Sequence, residues 1–133
     1  MVRNSLKAFC LAGFFLVFGC QPNPYRQGKN LYTTQCAGCH SEDGSGLAKL
    51  IPALDTTLLK LRQPQELVCL IRNGLPFDSL TRQQMPANKS LTEVEMANLI
   101  NYLGVRYIGS QQVVSVEQMP QMYTACQSWK RPK

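Results

Sequence analysis

The sequence predicts an all-α fold, on three observations. Ser90-Leu91-Thr92-Glu93 reads as a capping box, and after it the apolar residues Met96, Leu99, Ile100 and Leu103 recur at i, i+3, i+4 and i+7, which is one face of an α-helix. Upstream, Pro64 suits a first helical position, Leu67, Val68, Leu70 and Ile71 supply apolar positions, and Asn73-Gly74 supplies a stop. Strand signals are weak: Val113-Val114-Ser115-Val116 reads either as a short extended piece or as the lead into a last helix.

The chain has 133 residues and 44% apolar content, which fits one globular domain. Its net charge is +6, of which Arg3 and Lys7 contribute two in a segment expected to be removed. Lys and Arg form no run, so nucleic-acid binding has little support. The remaining positive charge either steers the protein to an acidic partner surface or serves solubility alone. Six cysteines in so short a chain point to an oxidising compartment or to cofactor ligation.

At the N-terminus, Arg3 and Lys7 precede the apolar run Ala8 to Gly19. A positive start with a short apolar run describes a secretory signal over residues 1–19. The run is shorter than the ~20 residues of an ordinary membrane span. Cys20 follows, and composition then changes to Gln21-Pro22-Asn23-Pro24. Val17-Phe18-Gly19-Cys20 resembles the lipobox of bacterial lipoproteins, with Phe18 departing from the usual small residue. That resemblance implies acylation of Cys20, and so an exported protein held on the periplasmic side of a membrane. The alternatives are ordinary cleavage with a spare cysteine, or an uncleaved anchor. Residues 20–27 then read as a short tether.

Gly28 and Tyr32 lie four residues apart, on one face of a first helix. That helix leads into Cys36-Ala37-Gly38-Cys39-His40. C-x-x-C-H is the attachment motif of c-type haem. Two thiols become thioethers on the two vinyl groups, and the adjacent histidine lies beneath the iron. A structural zinc site needs four ligands, and no second C-x-x-C or histidine pair completes one. A thioredoxin-like C-x-x-C needs a βαβ context, for which there is no signal. His40 is the single histidine of the chain, so bis-histidine ligation within one subunit is excluded. Glu42-Asp43-Gly44-Ser45-Gly46 follows as a loop.

From Gly28 to about Tyr107, with gaps, the chain resembles the class I cytochrome c family. The resemblance rests on Gly28, Tyr32 and Cys36-Ala37-Gly38-Cys39-His40. It implies a helical fold wrapped around one covalently bound haem c, and packing of the Gly28–Tyr32 face against the helix after Thr92. Ala97 and Tyr102 are further candidates for that contact. It implies a methionine as the second axial ligand, and Gln84-Met85-Pro86-Ala87 matches the family's methionine-proline pattern. Pro86 biases Met85 away from helical geometry, as a loop ligand requires. An open or water-bound site is the alternative. Met96, Met119 and Met122 read as packing residues. Pro52 resembles the family proline whose carbonyl accepts from the proximal histidine, and a plain turn proline is the other reading.

Leu54, Leu58, Leu61, Leu67, Ile71 and Leu75 are expected as core or pocket lining. Gly104 is expected to stop the helix. Residues 28–107 then form the cytochrome domain and 108–133 a C-terminal helical extension, in which Ser115-Val116-Glu117-Gln118 caps a short helix. Cys10 leaves with the signal, so Cys69 and Cys126 remain. An oxidising space favours a disulfide between them, with free thiols or an intermolecular bridge as alternatives.

Taken with the resemblance, these features imply a single-haem electron carrier outside the cytoplasm, serving redox proteins of a respiratory or dehydrogenase chain. A fixed haem subunit of a larger oxidoreductase and a gas-binding sensor are the rival readings. A peroxidase is disfavoured, because the chain has no second histidine for distal acid–base chemistry.

Overall fold

A computed structural model describes residues 23–55, 63–110 and 112–130. The expected signal over 1–19, Cys10, the Cys20 acylation site, Leu58 and Leu61 lie outside the described residues. The described chain is helical, with no strand and only two isolated bridges, Leu47 to Ile51 and Leu75 to Met85.

Helix α1 spans Arg26–Gln35, so it begins inside the stretch expected to be a tether. The turn before it explains this. Asn23 accepts from the Tyr25 amide through its side chain and from the Arg26 amide through its carbonyl. Helix α2 is one turn, Ala37–His40. Helix α3 spans Pro64–Asn73, with Pro64 in its first turn and Leu67, Val68, Cys69 and Ile71 buried. It ends at Gly74, whose φ of 70° and ψ of −171° lie in a region essentially reserved for glycine.

Helix α4 spans Glu93–Leu103. Its capping box is Thr92 with Glu95, two residues beyond the expected Ser90–Glu93 pair. Ser90 is engaged elsewhere: its amide and its hydroxyl both donate to Asn88 Oδ1. The shift puts Leu91 at N′ and Met96 at N4, the two positions of a hydrophobic staple, and both are buried. Gly104 does not stop the helix. It keeps right-handed geometry, and the chain widens into a π-helical turn over Gly104–Ile108 that ends at left-handed Gly109. The wider turn aims Tyr107 into the core, where it is 5% exposed.

Val113 to Val116 is neither strand nor helix until a 3₁₀ turn over Val116–Gln118, capped by the Ser115–Gln118 box. The Asn101 side chain bonds both backbone groups of Val114, donating to its carbonyl at 2.9 Å and accepting from its amide at 2.7 Å. One amide side chain thus supplies what a strand partner would. Helix α5 spans Met119–Ala125.

The most extensive helix contact is α1 on α4. Gly28 makes it possible. A Cβ at that position would lie 2.6 Å from Tyr102 Cβ and collide with the Asn98 carbonyl. Tyr32, Met96, Leu99, Val68, Cys69 and Met119 are fully buried in one core. Met119 and Cys126 belong to that core, so the C-terminal extension is part of the domain's interior. α5 packs on both α3 and α4, and a disulfide joins Cys69 of α3 to Cys126 just after α5, with Cα atoms 5.0 Å apart.

Candidate functional site

The site is built on the turn after α1. Cys36 closes α1 through its amide, which donates to the Tyr32 carbonyl at 2.9 Å. The His40 amide donates back to the Cys36 carbonyl at 2.9 Å. The chain then leaves at Ser41, which has a φ of 64°.

Two tyrosine hydroxyls fix that exit. Tyr32 donates to the Ser41 carbonyl, and Tyr107 donates to the Glu42 carbonyl at 2.9 Å. Gly44 lies against the face of Tyr107, where a Cβ would stand 2.5 Å from the ring. The three rings of Tyr32, Tyr102 and Tyr107 pack together with centroids 5.3 to 6.1 Å apart. Burial pushes the Tyr107 hydroxyl up to about 12 and raises Tyr32 as well, so both remain neutral donors at physiological pH.

Met85 lines the same cleft as His40. Its segment is held on the end of α3 by four backbone bonds. Leu75 and Met85 exchange two of them, at 2.7 and 3.0 Å; the Asn88 amide donates to the Ile71 carbonyl at 2.9 Å; and the Gly74 amide closes α3 on Leu70. A Cβ on Gly74 would collide with the Met85 carbonyl and lie 2.6 Å from the Ala87 amide nitrogen. The glycine thus serves both helix termination and the approach of the Met85 segment.

These segments line an apolar cleft. Cys36, His40 and Met85 line it together with Tyr32, Leu54, Leu67, Leu70, Ile71, Leu103, Tyr107 and Ile108. The space it encloses, open mouth included, is about 500 Å³. Burial lowers the His40 imidazole below its usual range, which favours the neutral form that can ligate a metal. His40 Nδ1 is buried and has no hydrogen-bond partner. An unpaired buried nitrogen is costly, and His40 shares the cleft with the Cys36 thiol and the Met85 thioether. Burial, with the Cys39 thiol adding, pushes the Cys36 thiol up to about 11. Two thiols, a neutral imidazole, a thioether and an apolar lining fit a covalently attached haem.

Not every expected position falls in the cleft. Cys39 is exposed and does not line it. Leu75 is half-buried and contributes its backbone to Met85 rather than its side chain to the cleft. Pro52 is exposed, and its carbonyl is not a partner of His40 Nδ1. That carbonyl instead sits near Gly46, 2.9 Å from where a Cβ would stand. Leu70, Leu103, Tyr107 and Ile108 line the cleft without having been singled out for it. The first two carried an apolar helical signal. Tyr107 continues the spacing of Met96, Ile100 and Leu103 but lies beyond the expected stop at Gly104, and Ile108 lies off that face.

Comparison with known proteins shows the family of this chain. Residues 23–103 match the family described as cytochrome C oxidase, cbb3-type, subunit III. The chain belongs to this cytochrome c family. Two relatives are each named alcohol dehydrogenase (quinone), cytochrome c subunit, one from Gluconacetobacter polyoxogenes and one from Komagataeibacter europaeus. Each is 32% identical over 82 residues, covering 57% of this chain and 18% of the relative. The cytochrome chain therefore spans under a fifth of the length of these relatives. Membership establishes haem c as the cofactor of the domain and electron transfer, rather than catalysis of its own, as its chemistry.

Proposed function

We propose that this cytochrome carries one haem c, bound as thioethers to Cys36 and Cys39 with His40 and Met85 as axial ligands, and passes single electrons between redox proteins outside the cytoplasm. The observation that carries this reading is one apolar cleft lined by Cys36, His40 and Met85 together. When bound, haem c supplies an iron that exchanges one electron. The protein's own residues do the rest. Tyr32 and Tyr107 fix the peptide after His40, Gly74 and Leu75 fix Met85, and the leucines and isoleucines exclude water. Two protein ligands leave no free iron position for a substrate, which favours a carrier over a gas sensor.

The N-terminal sequence supports export and acylation of Cys20, which would tether the cytochrome on the periplasmic side of a membrane. Two or more acyl chains are needed for stable anchoring. Leu47, Leu50, Phe77 and Leu80 are exposed on two loops that Gln83 Nε2 ties to the Lys49 carbonyl at 3.0 Å.

The names of the relatives favour a second reading, a fixed haem subunit of a dehydrogenase. Purification from native membranes separates the two. A free carrier elutes alone after detergent extraction, whereas a subunit co-purifies in fixed ratio with a dehydrogenase. For the haem itself, intact mass of the exported protein tests the count and the attachment. One covalent haem is expected, lost in the Cys36→Ser, Cys39→Ser double variant. A mass corresponding to no haem, or to two, overturns the proposal.

A further inference from the structure

We propose that the C-terminal helix α5 is a clamp on the Met85 segment, gripping both of its ends from behind the cleft through Tyr123, Asn73 and the Cys69–Cys126 disulfide. The inference rests on the reading of Met85 as an axial ligand. The segment runs without helix from Gly74 to Leu91, between α3 and α4. A loop of that length has many conformations open to it, so the position of its methionine depends on how firmly its two ends are held.

α5 holds both. At the near end, the Arg72 guanidinium lies over the Tyr123 ring at 3.9 Å from the centroid, and Asn73 Nδ2 donates to the Cys126 carbonyl at 2.9 Å. The disulfide fixes Cys69, one helical turn earlier. Gln65 Nε2 extends the attachment by donating to the Met122 carbonyl at 2.9 Å. At the far end, the Tyr123 hydroxyl donates to the Leu91 carbonyl at 3.4 Å. One side chain therefore touches the residue two before Gly74 and the last residue before the α4 cap. The face of α3 toward the cleft carries Leu67, Leu70 and Ile71. Cys69, Arg72 and Asn73 engage α5 instead. None of Tyr123, Met122 or Cys126 lines the cleft, so these are positioning residues that act through the loop ends.

Exogenous imidazole competes with Met85 for ferric iron. Its apparent affinity scales with the fraction of molecules in which Met85 is displaced. Loosening the clamp must therefore tighten imidazole binding, even where the protein stays folded. The test is an imidazole titration of the full-length ferric holoprotein, followed by the thioether-to-iron charge-transfer band. Tyr123→Leu removes both the ring under Arg72 and the hydroxyl. It is expected to bind imidazole about tenfold more tightly and to show a weaker band. Tyr123→Phe keeps the ring and should lie between Tyr123→Leu and wild type.

Leu99→Ala is the control. It truncates a fully buried side chain outside the cleft and the clamp, so it should lower the denaturation midpoint and leave imidazole affinity within about twofold. If Tyr123→Leu does not fold, Arg72→Met loosens the same contact and carries the same expectation. The clamp is overturned if the folded clamp variant matches wild type, or if Leu99→Ala tightens imidazole binding as much. A wild-type holoprotein without the thioether band overturns the Met85 ligand reading itself, and the clamp with it.

Discussion

Gly74 and Met85 meet backbone to backbone, so closely that no side chain could stand between them. A Cβ on Gly74 would collide with the Met85 carbonyl, and Gly74 also holds a φ of 70°. Gly74→Ala should therefore cost about 1–3 kcal/mol of stability from backbone strain alone. It should also push the Met85 segment off α3. The expected result in the ferric holoprotein is a lowered urea midpoint together with a weakened thioether-to-iron band. A stable variant with an unchanged band would contradict the role given to this contact.

The Cys69–Cys126 disulfide closes a loop with a sequence separation of 57. In the chain-entropy account, a loop of that length is worth about 4 kcal/mol, and removal of a native disulfide from a small secreted domain costs about 2–5 kcal/mol. The Cys69→Ala, Cys126→Ala double variant should unfold at clearly lower urea with the haem still attached at Cys36 and Cys39. Intact mass with and without reductant and alkylation gives a direct check on the bond in the exported protein.

Alkaline pH should destabilise the fold through its buried tyrosines. Burial raises Tyr107 from 10.0 to about 12, and it raises Tyr32 as well. A phenol whose folded value is raised favours the neutral form in the native state. Its contribution is full below pH 10 and is lost as pH climbs toward about 12. Tyr107→Phe removes the group that titrates and the bond to Glu42. It should lose about 1 kcal/mol at neutral pH and show a shallower decline above pH 10, measured by urea unfolding across the pH series.

Gly28 carries the α1–α4 crossing in the same way that Gly74 carries the Met85 contact. Gly28→Val would drive a side chain into the Asn98 carbonyl and Tyr102. Overpacking of this kind costs about 1–3 kcal/mol, and a backbone collision leaves little room to relax. The expected outcome is poor haem incorporation during export, read as the ratio of haem absorbance to total protein.

Much of this architecture was legible in the sequence. The 3.6-residue pattern from Met96 to Leu103, the Pro64 start, the Gly74 stop and the Ser115–Gln118 box all depend on local chemistry, and local chemistry decides them. The Gly28–Tyr32 face was legible through the resemblance to class I cytochromes c, with the four-residue spacing putting both residues on one side of a helix. The errors share a physical cause. Gly104 is compatible with right-handed helix, so burial of Tyr107 beneath the haem-site loop could carry the chain through it. Ser90 loses the capping role to Thr92, because its own amide and hydroxyl are engaged by Asn88 Oδ1. The Arg72–Tyr123 contact spans 51 residues, and nothing in either neighbourhood announces the other. The partner of His40 Nδ1 likewise depends on where the ring turns, which spacing alone does not set.

The central claim is that His40 and Met85 close the two axial positions of one covalently held haem. Its most direct test is the absorption spectrum of the holoprotein, taken ferric for the far-red band and ferrous before and after carbon monoxide. The account predicts a thioether-to-iron band in the ferric wild type and no change of the ferrous spectrum with carbon monoxide. In Met85→Ala it predicts loss of the band and ready carbon monoxide binding. A wild-type protein that lacks the band and takes up carbon monoxide readily would contradict it.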